Sequence, residues 1–133
     1  MCSLLSAECQ EAECIKVDRV LELLLASQSR LSAFCAAAPD SSYDERVAEG
    51  GLYVVQLCCL LLALLSTAGV AALHDHVARV FFQQDLSVQG VCCPVLAEWR
   101  ERIDGGKEEG QQMQRTLDAL LEMLRADDGG GQG

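Results

Sequence analysis

The sequence predicts an all-α protein of about five helices. Apolar residues recur at three- and four-residue spacing along most of the chain, and no alternating strand-like segment of useful length occurs. Pro or Gly-Gly interrupts the pattern at intervals that suit helix joints. A length of 133 residues fits one domain. Half of the residues are hydrophobic but only 5% are aromatic, so the core has to be aliphatic. A mean hydropathy of +0.17 supplies enough apolar area to offset chain entropy, which argues against disorder throughout.

The first helix is expected over 14–38, where Val17, Val20, Leu21, Leu24, Leu31 and Cys35 share one face. Pro39-Asp40-Ser41-Ser42 ends it. Ser42 followed by Glu45 has the spacing of a capping box, in which hydroxyl and carboxylate each satisfy an orphan amide. A second helix follows over 43–66, weakened or kinked by Gly50-Gly51. Thr67-Ala68-Gly69 forms the next joint. A third helix spans 70–82, with Leu73, Val77, Val80 and Phe81 on one side. The fourth carries Val88, Val91, Cys92, Val95, Leu96, Trp99 and Ile103; Pro94 either kinks it or marks its true start. Asp104-Gly105-Gly106 is a stop signal. The last helix, over 108–125, bears Met113, Leu117, Leu120, Leu121 and Leu124, with Glu108 and Glu109 at its positive end. Around this helical domain of 14–126, residues 1–13 read as a flexible N-terminal segment and 127–133 as a flexible Gly-rich tail.

Charge narrows the function. Twenty acidic against 10 basic residues leave a formal −10, which argues against direct nucleic-acid binding, because that affinity comes from Lys and Arg neutralising phosphates. A basic protein segment is the more natural partner. The eight cysteines include two vicinal pairs, Cys58-Cys59 and Cys92-Cys93, inside apolar runs, and no signal-type segment opens the chain. They read as reduced thiols acting as small hydrophobes, in cytosol or nucleus. His74 and His76 stand two apart, about 200° around a helix, so they cannot chelate together and read as a solvated face. Cys9 and Cys14 lack a second pair of ligand spacing. No phosphate loop or positioned nucleophile is present. The chain reads as a non-enzyme without cofactor or metal.

Residues 50–73 contain no charge, and as one helix of 24 residues would reach about 36 Å, enough to cross a bilayer. The strongly apolar part, 52–65, is shorter, and no Lys/Arg cluster or aromatic belt flanks it. A central core helix is the preferred reading; a small membrane-anchored protein with a span near 50–73 is the alternative.

Lys16-Val17-Asp18-Arg19, followed by Val-Leu-Glu-Leu, resembles the Lys-Val-Asp-Arg-Leu segment of the beta-catenin-like protein 1 family. Tyr43-Asp44-Glu45-Arg46 then leads to Gly51-Leu52-Tyr53-Val54-Val55-Gln56, similar to that family's acidic, Tyr-containing approach to Gly-Leu-Phe-Val-Leu-Gln. Cys59 and Ala63 fall where the family's helix carries Cys and Ala. The likeness spans about 14–126 and corresponds to the family's C-terminal end. This chain departs from it in a short connection over 36–42, in Leu64 for an acidic residue, in His74 and His76 for basic ones, and in Pro94.

The resemblance implies the C-terminal end of an armadillo-like helical-repeat solenoid. It also implies a nuclear scaffold or adaptor in pre-mRNA splicing, associated with the nineteen complex and with partners bearing basic, nuclear-localisation-like segments. An exposed end of such a stack is expected to drive partner binding or homodimer formation. From charge, the expected partner-binding surface is acidic: Asp44, Glu45, Glu49, Glu98 and Glu101.

Overall fold

The computed structural model describes the backbone of residues 7–132 and the side chains of 16–126. Among the described residues every regular element is helical: α1 (Ala7–Ala37), α2 (Tyr43–Ala48), α3 (Leu52–Ser66), α4 (Ala71–Gln83), α5 (Val88–Arg102) and α6 (Glu108–Gln132). The helix expected over 43–66 is thus two helices, and the described elements number six.

The break lies at Gly50-Gly51. Gly51 has φ +91°, a left-handed conformation that only glycine adopts cheaply. Gly50 is buried, and a Cβ there would come within 2.8 Å of Phe34 Cδ2 and 3.0 Å of the Arg46 carbonyl. The two glycines therefore turn the chain instead of bending one helix. Upstream, the capping box forms as its spacing predicts. Glu45 N–H donates to Ser42 Oγ at 3.2 Å, and Ser42 N–H donates to Glu45 Oε1 at 3.3 Å.

α3 packs against α1, α2, α4, α5 and α6. Its inner face, including Leu52, Val55, Cys59, Leu62 and Ala63, is buried. Val17, Leu21 and Leu24 of α1 enter the same core, with Val77, Val80 and Phe81 of α4. Val88, Cys92 and Leu96 of α5 and Leu117, Leu120, Leu121 and Leu124 of α6 complete it. Most of the apolar stripes predicted from spacing are therefore inside; Leu31, Cys35, Leu73, Val91 and Met113 are half-buried at its edge. Trp99 packs against the core without being enclosed.

Three boundaries differ from expectation or resolve it. α5 continues through Pro94, which is exposed; the ring stands on the solvent side, and the Gly90 carbonyl it leaves unbonded is also at the surface. Ser87 caps that helix by accepting from Gly90 N–H at 2.9 Å. α1 begins at Ala7, within the segment set apart as flexible, and α6 runs to Gln132, across residues read as a tail. Residues 1–6 and 133 lie outside the described residues.

The uncharged stretch 50–73 is divided between α3, a turn at Gly69 (φ +87°) and α4. At 15 residues α3 is about 22 Å long, short of a bilayer's hydrocarbon core. By length and composition alone, the described helix that passes the membrane test is α1, over Lys16–Ala37.

Replacing Gly51 with Ala should cost about 1–2 kcal/mol, the penalty of a Cβ in the left-handed region. Ser42→Ala should cost about 1 kcal/mol through loss of the cap. Urea unfolding of both variants checks this. A Gly51→Ala variant as stable as the parent would mean that 43–66 forms one continuous helix.

Candidate interaction surface

Five thiols are described, and all are free: Cys58, Cys59 and Cys92 are buried, Cys35 and Cys93 half-buried. Cys59 and Cys92 meet across the α3–α5 contact. Their hydrogen bond, then burial, pushes the Cys92 thiol far up. Burial chiefly, with Cys59 adjacent, raises Cys58 as well. Raised, enclosed thiols are poor nucleophiles, so this cluster acts as core. Cys2, Cys9 and Cys14 lie outside the described side chains. Among the described residues no group of three or more His, Cys, Asp or Glu could hold a metal ion.

The two histidines diverge as their spacing requires, but neither forms a simple solvated face. His74 Nδ1 lies 3.1 Å from the Ser66 carbonyl at the end of α3. His76 Nε2 lies 3.0 Å from Asp18 Oδ1 on α1. Each ring is half-buried and ties α4 to a different neighbour. A shallow cleft of about 390 Å³ beside His74, lined by Thr67, Gly69, Val70 and Met123 among others, is open to solvent.

The five predicted acidic residues fall on two elements that share one end of the molecule. Asp44, Glu45 and Glu49 are exposed on α2; on α5, Glu98 is half-buried and Glu101 exposed. Arg46 Nη2 of α2 reaches Glu98 Oε2 of α5 at 3.9 Å. The Arg102 guanidinium stands 4.9 Å from the centroid of the Tyr43 ring, with Arg46 at 5.9 Å on the same ring. Tyr43 in turn accepts a 2.6 Å hydrogen bond at Oη from Nε2 of Gln56, the buried amide of α3.

The end is therefore a mixed surface. Glu45 is engaged in the cap and Glu98 with Arg46, which leaves Asp44, Glu49 and Glu101 as the carboxylates most open to a partner. Arg100 holds Asp118 of α6 through a two-pronged bridge at 2.9 and 3.2 Å. Arg46 and Arg102 are visible in the sequence beside the acidic residues, but only the fold shows that both converge on Tyr43.

α3 also has a face that the sequence reading placed inside the stack. Tyr53, Leu61 and Leu64 are 54%, 48% and 43% exposed, and Leu57 and Leu60 are half-buried between them. These five residues occupy an arc of about 100° and a length of about 17 Å. They form one apolar stripe without a charge on an otherwise acidic molecule, the kind of surface that marks an interaction site.

No protein-family model, curated protein sequence or solved structure matches the chain.

The thiols generate a pH prediction. Their folded pKa values lie above the ordinary 9.0, so above pH 9 the unfolded chain releases protons that the folded chain retains. The thiol contribution to stability is fully present below pH 9 and should be lost as pH rises beyond it. Urea midpoints at pH 7, 9 and 10 check this, with Cys92→Ala expected to show a shallower fall between pH 9 and 10. An equal fall in parent and variant would exclude Cys92 as a source.

Proposed function

We propose that this chain is a non-enzymatic interaction module, and that its working parts are the open stripe of α3 and the neighbouring acidic end. The observation that carries the reading is the stripe itself. Exposing three large apolar side chains on one helix costs free energy in water, and a protein partner removes that cost on binding. The chain's −10 charge supports a partner rich in Lys and Arg.

The resemblance over 14–126 supports a more specific form of this reading. The module would be the end of an armadillo-like solenoid and a nuclear adaptor in pre-mRNA splicing, engaging splicing-complex proteins through their basic, nuclear-localisation-like segments. In this reading α3 is the helix on which repeats stack, in keeping with its packing against every other helix. The alternative of a membrane-anchored protein draws on α1, whose Lys16–Ala37 stretch is apolar and long enough to span.

Affinity purification of the tagged full chain from nuclear extract at physiological salt, with partners identified by mass spectrometry, tests the adaptor reading. Splicing-complex proteins are the expected partners. Resistance of the chain to alkaline extraction from membranes would favour the anchored alternative. The acidic end is tested by the triple variant Asp44→Asn, Glu49→Gln, Glu101→Gln, which spares the cap and the Arg46 pair. It should weaken binding of an unstructured Lys/Arg-rich peptide by about tenfold, the sum of three exposed charge interactions of about 0.5 kcal/mol each. Its salt dependence should also flatten; an unchanged affinity would sink the acidic-surface assignment.

A further inference from the structure

The stripe on α3 has a shape and a setting that define what fits it. It is one helix wide, straight, and about 17 Å long from Tyr53 to Leu64, the length of three helical turns. A globular partner making a standard interface needs about 800 Å² on each side, far broader than a single ridge of leucines. A helix laid along the ridge needs only a row of anchors at helical spacing, and Tyr53, Leu57, Leu61 and Leu64 present a matching row.

Charge separates the two ends of this row. At the Tyr53 end lie Asp44 and Glu49 of α2, both exposed and outside any ion pair in the structure, with Glu101 of α5 nearby across the Arg102–Tyr43 contact. Past Leu64 the chain runs Leu-Ser-Thr-Ala-Gly-Val-Ala-Ala-Leu, with no charge before Asp75. A second copy of this chain would bring −10 against −10. A partner with positive charge at one end of its own apolar row is attracted to the acidic end and held in one direction.

We infer that the α3 stripe docks an amphipathic helix of about three turns from a partner protein, with leucine-like side chains along one face and Lys or Arg at the end that lies over α2. The inference rests on the reading of the chain as an interaction module and adds the partner's conformation, its apolar row and its direction. Leu61 and Leu64 are the anchor contacts, and Asp44 and Glu49 set the polarity.

The test uses the full chain and a fluorescein-labelled 15-residue peptide of Leu, Gln, Ala and Lys, with leucines at helical three- and four-residue spacing and three lysines at one end. Controls are a peptide of the same composition with the leucines shuffled and one with the lysines moved to the opposite end. Fluorescence anisotropy should show micromolar binding of the first peptide, with helix formation by circular dichroism. The shuffled peptide should bind at least about tenfold more weakly, and the lysine-shifted one should lose several-fold.

The double variant Leu61→Asp, Leu64→Asp alters exposed positions, so its helix content should match the parent's while its affinity falls by about tenfold or more. Phe82→Asp, an exposed aromatic at the end of α4, controls for general loss of apolar surface and should change nothing. Equal binding of the shuffled peptide, or unchanged affinity in the double variant, overturns the inference. So does a parent dimer in sedimentation that the double variant dissolves, which would assign the stripe to a second copy. Flotation with phosphatidylcholine vesicles that depends on Leu61 and Leu64 would assign it to a lipid surface and overturns it as well. If the unstructured basic peptide still binds through Asp44, Glu49 and Glu101 while the helical peptide fails, the inference falls and the acidic-end reading stands.

Discussion

Burial of one face of α3 is the constraint on which the rest of this structure depends. A fifteen-residue helix with only Gln56 and Ser66 as polar side chains cannot stand alone in water, and each of the other five helices gives up its own apolar stripe to cover it. Leu24, Leu62, Phe81, Leu96, Leu117 and Leu124, all fully enclosed, come from five different helices. The aliphatic, aromatic-poor composition follows from this. Leucine, valine and cysteine pack closely between helices, and the vicinal thiols of α3 and α5 fit where larger side chains would force the helices apart.

The turn at Gly50-Gly51 sets how that burial is achieved. A continuous helix over 43–66 would carry Tyr43 and Arg46 away from the body along the α3 axis. The left-handed Gly51 instead brings α2 back against α1 and α3, where Tyr43 meets the Gln56 amide and Arg46 meets Glu98 of α5. A short helix with no buried residue of its own is thereby tied in by polar contacts. The same turn places Asp44 and Glu49 at the head of the α3 stripe. Local backbone geometry thus reaches function through one glycine.

Electrostatics and apolar surface act together on this molecule. The excess of carboxylates keeps an exposed leucine ridge from promoting indiscriminate self-association, since net charge of one sign opposes the approach of like copies. The same charge favours a basic partner. The Arg46, Arg100 and Arg102 side chains are turned toward Glu98, Asp118 and Tyr43, so the basic residues of α2 and α5 are spent on holding helices together while the open carboxylates set the character of the surface.

Much of the architecture was legible in the residues alone. The 3/4 periodicity of Leu117, Leu120, Leu121 and Leu124, or of Val77, Val80 and Phe81, needs no neighbour to be read, because it follows from the pitch of the helix. The Ser42–Glu45 cap is equally local. Periodicity fails where a segment is apolar all round: residues 52–65 offered no stripe, so the sequence could not say which side of α3 is covered and which is open. It also could not decide between a bend and a break at Gly50-Gly51, since that depends on Phe34 lying against Gly50. The convergence of Arg46 and Arg102 on Tyr43 joins residues nearly sixty positions apart, and no spacing rule reaches that far. Elements with one apolar face are determined by their own sequence; the open face of α3 and the charged end beside it were decided by which helices the chain had left to pack against it.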